Sequence, residues 1–177
     1  MYSVQDIDEH TLIQRSLDGD HHAYGELVDR YKNALYHHCF AIVRDEDVAE
    51  DLAQETFIAA YYKLNLYNPK YRLSTWLFKI ATNKALTWLR KAGREIAADD
   101  ELIASVASSH PGPDKSAEYG ELHEAVSRLN AQHRAVVSLY YWQGLSYQEI
   151  AVVLSVPIGS VRGWMSRAKD QLRKELL

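Results

Sequence analysis

Positively charged and aromatic side chains are concentrated in one stretch of the 177-residue sequence, residues 61–94, which holds eight Lys and Arg residues and no Asp or Glu. Within it a predicted loop, Leu66–Leu73, sets Tyr67 and Tyr71 beside Lys70 and Arg72. Because aromatic rings stack on unpaired bases and cations attract phosphates, these residues favour binding of a nucleic-acid strand. The helix predicted to follow, residues 74–91, adds five polar or cationic candidates: Lys79, Asn83, Lys84, Arg90 and Lys91. By contrast, we expect Trp76 and Trp88 on that helix to belong to the core.

A second set of candidates lies near the C-terminus, on a predicted helix of about Ile158 to Leu176. Its apolar face consists of Val161, Met165, Ala168, Leu172 and Leu176, which recur every three or four residues. A short helix precedes it, beginning with a capping box of Ser146 and Glu149. Two helices joined by a tight turn, the second of them basic, predict a helix-turn-helix whose second helix enters the DNA major groove. The candidates for DNA contact are Ser160, Arg162, Gly163, Ser166, Arg167 and Lys169.

An acidic segment, residues 45–60, comes just before the cationic stretch. Its periodicity predicts a helix that buries Leu52 and exposes Asp51, Gln54 and Glu55. A negatively charged face is repelled by DNA, so we expect it in solvent or on a basic protein surface.

The net charge of −4 conceals a sorting of charge along the chain. Residues 1–60 hold 13 acidic and four basic residues, and residues 95–118 hold six acidic residues and one lysine. Residues 94–118 are also polar and contain Pro and Gly, as is typical of a linker. Fully extended, at roughly 3.3 Å per residue, this linker reaches about 80 Å, or roughly two dozen base pairs of duplex DNA. Helical periodicity dominates elsewhere, so the prediction is an all-α fold of two helical domains, residues 1–93 and 119–177, joined by a flexible acidic linker.

Several classes of protein are disfavoured by the same sequence. The single cysteine allows no intrachain disulfide, and neither a membrane span nor a signal peptide is recognisable, so we expect a cytoplasmic protein. The pairs His21-His22 and His37-His38 are poor chelators, since adjacent side chains on a helix point about 100° apart. No phosphate-binding loop or catalytic triad pattern occurs. We therefore expect no metal, no cofactor, no small-molecule substrate and no catalysis.

Three motifs in this order resemble those of group IV, or extracytoplasmic-function (ECF), sigma factors of bacterial RNA polymerase. They are Asp47–Phe57, Ser74–Asn83, and Gly144–Ala151 followed by Val156–Arg162 and Arg167-Ala168. The resemblance covers nearly the whole chain. It implies a helical bundle like sigma-70 region 2 and a helix-turn-helix like region 4.

The resemblance also implies a role for each segment. Asp51, Gln54 and Glu55 would dock on the clamp helices of the largest polymerase subunit. The Leu66–Leu73 loop and the helix after it would melt the −10 element and capture a flipped base. The helix-turn-helix would read the −35 element, with the polymerase flap as a further partner, while the linker would run through the active-site and RNA-exit channels. An anti-sigma factor is a further partner that the resemblance implies.

The sequence departs from the family pattern at four positions. Gly163, Trp164 and Ser166 leave the base preference of the recognition helix open, and Asn130 stands where proline is common, although Asn is a good N-cap. Two other functions remain as alternatives at this stage. One is a stand-alone helix-turn-helix regulator, which would need a dimer and a palindromic operator. The other is a small helical enzyme that uses the histidines.

Overall fold

The computed structural model of the protein describes residues 7–93 and 117–176, and every regular element within these ranges is helical. The first range folds into four α-helices, α1 Glu9–Leu17, α2 His21–Val43, α3 Glu46–Tyr62 and α4 Leu73–Lys91, with a 3₁₀ turn at Leu64–Leu66. The second range contains α5 Ala117–Ser127, α6 Ala131–Val137, α7 Tyr147–Leu154 and α8 Ile158–Leu176, with a π-helical turn at Ser138–Trp142. The predicted all-α fold of two helical domains is confirmed.

The predicted linker differs from the structure at its end. Helix α5 begins at Ala117, so residues 117 and 118 belong to a helix rather than to the linker. The remainder of that prediction, residues 94–116, lies outside the described residues. Among the helices that the structure describes, none is both long and apolar enough to cross a membrane.

The first three helices begin in the same way, with an aspartate that accepts hydrogen bonds from backbone N–H groups of the first turn. Asp8 caps α1, Asp20 caps α2 and Asp45 caps α3. Their carboxylates also lie at the positive end of each helix dipole, which adds to the stabilisation. Helix α2 then packs against α1, α3 and α4. The fully buried side chains of this domain include Leu12, Leu35, Ile42 and Leu73.

The second domain follows the predicted capping signals closely. The side chain of Asn130 accepts from the backbone N–H of His133 and caps α6, and Ser146 and Glu149 form the predicted capping box of α7. Gly144, between the π-helical turn and α7, has a φ of 66°, a left-handed conformation that glycine adopts without a steric penalty. The core of the second domain includes Leu139, Leu145, Ile150, Val153, Val161, Met165 and Ala168.

The two domains pack against each other, α2 against α6 and α4 against α7. A fully buried histidine, His38 of α2, lies in this contact. Its Nε2 lies 2.8 Å from Thr82 Oγ1 of α4, and its Nδ1 lies 3.0 Å from Ser138 Oγ of the second domain. Because Thr82 donates its own hydrogen to the Phe78 carbonyl, His38 Nε2 must donate to Thr82, and Nδ1 then accepts from Ser138. His38 is therefore bound as a neutral ring.

A buried arginine makes the second polar contact between the domains. Arg134 of α6 donates from Nη2 to the carbonyl of Ile42, at 2.6 Å, and from Nη1 to the carbonyl of Leu129. Ile42 lies in the last turn of α2, where carbonyls have no partner within the helix and where the helix dipole favours a positive charge. Arg134 thus supplies the hydrogen bond that the end of α2 lacks.

His38 predicts a pH dependence of stability. Burial lowers the pKa of His38 to about 3, below the ordinary value of 6.5, so below pH 6.5 the unfolded chain binds a proton that the folded chain does not. The free energy of unfolding should therefore decrease as the pH is lowered below 6.5, by up to about 1.4 kcal/mol per pH unit for this group. Urea unfolding at pH 7 and pH 5 measures the effect.

The control for this prediction is His38→Gln, in which the side chain does not titrate. Burial also lowers the pKa of His133, as does the charge of Arg167, so a part of the slope with the same sign should remain in that variant. Equal slopes for the wild type and His38→Gln between pH 7 and pH 5 would contradict the assignment.

Candidate polymerase and nucleic-acid interfaces

The loop between α3 and α4 brings four of the predicted −10 residues together. Tyr67, Lys70, Tyr71 and Arg72 line one side of an open pocket of about 300 Å³. The Tyr67 hydroxyl donates to the Tyr71 carbonyl at 2.6 Å, and the Tyr67 ring packs against Trp76, with 5.6 Å between ring centroids. The loop conformation is thus held by Tyr67, while the Tyr71, Lys70 and Arg72 side chains are exposed.

The opposite wall of this pocket comes from α1, through Glu9, His10 and Ile13. None of these three residues is among the candidates predicted from the sequence. A carboxylate oxygen of Glu9 accepts a hydrogen bond from the Tyr31 hydroxyl of α2. Burial, followed by this hydrogen bond, raises the pKa of Tyr31. Burial and the charge of Glu9 also raise the pKa of Tyr67, so the carboxylate lies within electrostatic reach of the loop.

The remaining −10 candidates lie along α4. Asn83, Arg90 and Lys91 are exposed, and Lys79 is half-buried. Lys84 differs from the other cations, because its Nζ lies 2.8 Å from Glu55 Oε2 of α3. Lys84 is therefore placed beside the acidic helix, and it balances one of the charges predicted to face the polymerase.

Helix α3 presents the acidic face that its periodicity predicts. Asp51, Gln54 and Glu55 are exposed, and Gln54 donates to Glu50 along the helix at 3.4 Å. The opposite face is buried in the first domain and consists of Ala49, Leu52, Ala53, Thr56, Phe57 and Ala60. The outward side chains are therefore available to a partner without any change in the helix.

Helix α8 has the bounds that the sequence predicts, Ile158–Leu176. Four of its six DNA candidates are exposed, namely Arg162, Ser166, Arg167 and Lys169, while Ser160 and Gly163 are half-buried. The Lys169 ammonium lies 5.9 Å from the centroid of the Tyr141 ring. A Cβ added at Gly163 would meet no atom of the chain within 4 Å, so packing within the protein does not explain this glycine.

The contact of α7 with α4 is a feature that the sequence analysis missed. Thr75 Oγ1 of α4 lies 3.4 Å from Glu149 Oε1 of α7. The sequence predicts a role for Glu149 only in the capping box, which is recognised because Ser146 and Glu149 are three positions apart. Its contact with Thr75 joins residues 74 positions apart, and no local pattern carries that information. The contact leaves the cations of α8 exposed.

The described residues contain no group of three or more His, Cys, Asp or Glu side chains placed to hold a metal ion. Cys39 is buried, and burial raises the pKa of its thiol to about 12. A thiol in that state is a poor nucleophile and a poor metal ligand.

Comparison with known proteins gives the class of protein to which this fold and these surfaces belong. Residues 27–95 match the family model of sigma-70 region 2, and residues 119–172 match that of sigma-70 region 4. The ECF RNA polymerase sigma factor SigW of Bacillus subtilis is 30% identical over 176 residues, which cover 93% of this chain and 94% of SigW.

Two solved structures are similar in fold as well. The sigma factor RpoE of Bartonella quintana, in complex with the anti-sigma factor NepR, has a TM-score of 0.71 and 27% identity, with 86% of this chain and 96% of that chain covered. CnrH, in complex with the cytosolic domain of CnrY, has a TM-score of 0.69 and 26% identity, with 94% and 95% covered.

The chain belongs to the ECF family of sigma factors. It is a sigma subunit that directs RNA polymerase to promoters for transcription initiation, and it is a non-catalytic specificity subunit of that enzyme. This result decides against the two alternatives, the stand-alone regulator and the small helical enzyme.

The capping box of α7 generates a stability prediction. Ser146 Oγ accepts from the Glu149 backbone N–H at 3.2 Å, and Glu149 Oε2 accepts from the Ser146 backbone N–H at 2.8 Å. Ser146→Ala should lower the free energy of unfolding by about 1 kcal/mol, the usual value of an N-cap. Ser146→Asp, which keeps a capping oxygen, is the matched control. An alanine variant as stable as the wild type in urea unfolding would show that the cap contributes nothing here.

Proposed function

We propose that the first domain performs both the docking and the strand-capturing steps, through surfaces of opposite charge. The observation that carries this proposal is the sorting of the exposed side chains. Helix α3 exposes Asp51, Gln54 and Glu55, whereas the α3–α4 loop exposes Lys70, Tyr71 and Arg72. An acidic face suits a basic protein surface, and a cationic aromatic pocket suits a DNA strand. The acidic residues accordingly bind the clamp helices of the largest polymerase subunit.

The loop pocket and α4 act together on the −10 element. Unstacking a base costs a few kcal/mol, and binding of the flipped base must offset that cost. Stacking on an aromatic side chain contributes about 1–3 kcal/mol per base, and Tyr71 is 40% exposed at the pocket. We assign the α4 side chains Asn83, Arg90 and Lys91 to the same strand, because they are the exposed candidates on the helix that follows the loop. Tyr67 holds the loop in place, the half-buried Lys79 adds positive charge to α4, and Lys84 lies towards the acidic helix, where it pairs with Glu55.

The second domain reads the −35 element with α8. Arg162, Ser166, Arg167 and Lys169 are exposed on the helix that a helix-turn-helix places in the major groove. Gly163 costs helix stability, about 1 kcal/mol relative to alanine. Since nothing within the chain requires it, close approach of the DNA backbone accounts for it. Ser160 and Gly163 then lie at the point of entry into the groove.

The domain boundaries and further partners complete the proposal. A polymerase- and −10-binding domain comprises residues 1–93, and a −35-binding domain extends from the start of α5 to residue 177. The acidic residues between them, 94–116, run through the cationic active-site and RNA-exit channels. An anti-sigma factor holds the free protein, by analogy with the complexes of RpoE and CnrH. The protein acts in the cytoplasm, where polymerase and chromosome are found in bacteria, and its second domain lies beside the polymerase flap.

Charge reversal at the docking face tests the first step. Asp51→Arg should weaken binding to core polymerase by about 1–2 kcal/mol, roughly 5- to 30-fold in Kd. The reason is that the substitution places a positive charge against the basic surface of the partner. The loss should shrink as salt is raised, since salt screens charges at a surface. Fluorescence titration with core polymerase measures it.

Asp18→Arg is the matched control for this titration, because it makes the same charge change at an exposed site at the C-terminal end of α1. It should bind like the wild type. Equal affinities of Asp51→Arg and the control would refute docking through α3, provided that both variants keep the circular dichroism of the wild type.

Removal of one guanidinium from α8 tests the −35 step. Arg162→Ala should weaken binding to the −35 element by about 1–3 kcal/mol, the usual value of a bidentate base contact. Initiation that depends on the −35 element should decrease accordingly. Transcription reconstituted with core polymerase, on templates with and without the −35 element, measures it. Arg173→Ala is the control, because Arg173 lies on the last turns of the same helix, paired with Asp170. If both variants initiated alike, the −35 contact would lie elsewhere.

A further inference from the structure

The pocket between α1 and the α3–α4 loop has walls of opposite charge, and this asymmetry is unexpected in a site for DNA. Lys70 and Arg72 lie on the loop side, and Glu9 lies on the α1 side. A carboxylate repels the phosphates of a DNA strand, so Glu9 weakens any binding that depends on phosphate contacts alone. A strand that enters this pocket is therefore favoured when an uncharged group, its base, faces Glu9 and its phosphates face the cations.

The surroundings of Glu9 hold its carboxylate in place. One oxygen accepts from the Tyr31 hydroxyl, and Tyr31 remains a donor because burial and this bond raise its pKa. The Tyr67 hydroxyl is committed to the Tyr71 carbonyl, at 2.6 Å. A side chain held by a neighbour in this way loses less freedom when it binds a ligand, so its contact with a base can be selective.

We infer that Glu9 is a specificity-determining residue for the captured base, and that it selects a base with an exocyclic amino group, cytosine, adenine or guanine, over thymine, which has none. This inference rests on the proposed role of the loop in strand capture. An ionised carboxylate can only accept hydrogen bonds. The exocyclic amino groups of cytosine, adenine and guanine donate to it, whereas both exocyclic polar groups of thymine are keto oxygens, which are acceptors and are repelled.

The test uses holoenzyme reconstituted from core polymerase and the full chain. Templates are opened in advance across the −10 element, so that the energy of melting does not enter, and each base is placed in turn at each unpaired position of the non-template strand. For the wild type, one position should favour the bases that carry an amino group over thymine by about 5- to 100-fold in stable complex formation, the range of one good base contact. In Glu9→Gln this preference should fall to about twofold or less, since an amide both donates and accepts.

Two controls separate the carboxylate from a general effect of charge or folding. Asp29→Asn removes one negative charge from an exposed position of α2 and should keep the preference of the wild type. A template that carries 2-pyrimidinone, which is cytosine without its amino group, needs no protein variant. The wild type should bind it about as weakly as thymine. This arm keeps the inference testable even if Glu9→Gln folds poorly.

The outcomes distinguish this inference from the proposal on which it depends. If Tyr71→Ala weakens complex formation while Glu9→Gln keeps the full preference among the four bases, the role of Glu9 is overturned and the capture loop stands. If wild type binds cytosine and 2-pyrimidinone equally, the amino group is not read and the inference is also overturned. If Tyr71→Ala and Lys70→Ala leave complex formation unchanged, the loop does not capture the strand and the proposed function itself fails.

Discussion

The packing of α4 on three neighbours is the constraint on which the functional surfaces depend. Helix α4 contacts α2, α3 and α7, and Leu77, Ala81 and Ala85 on it are buried. Successive side chains of a helix point about 100° apart. The three neighbouring helices therefore determine which side chains of α4 reach solvent. Asn83 and Arg90 fall on the open arc, whereas Lys84, one position further round, pairs with Glu55. Packing therefore determines which of the cations in this stretch can meet DNA.

Signals within one or two helical turns were readable in the sequence. Spacings of three or four residues predict the capping box of Ser146 and Glu149 and the apolar face of α8, because such residues are neighbours on any helix. The cap at Asn130 follows from the residue type alone. The family itself was recognisable for a related reason, since its motifs are short segments. The exposure of Asp51, Gln54 and Glu55 followed from the periodicity of α3 alone.

What escaped prediction depends on the packing of whole helices. The bond between His38 and Ser138 joins residues 100 positions apart, and the pocket brings Glu9 to a loop that begins after α3. The sequence shows His38 only as one of a pair of poor chelators, because it reveals the neighbours of His38 on the helix and not Thr82 or Ser138. A lone polar residue on an apolar face indicates that a partner is needed, but it does not say from which element the partner comes.

The polar character of the contact between the domains bears on how a sigma subunit works. His38 bonds across it to a hydroxyl and Arg134 to a carbonyl. The bond of the neutral histidine contributes about 0.5–1.5 kcal/mol net, and that of the charged arginine about 1.5–3 kcal/mol. In the proposed division of labour α4 acts at the −10 element and α8 at the −35 element, two separate places on one promoter. The proposal therefore requires that the contact between α4 and α7 opens when both elements are bound. Binding to polymerase and promoter must therefore offset the loss of these polar bonds and also of the apolar packing, because the buried core runs through both domains as one cluster.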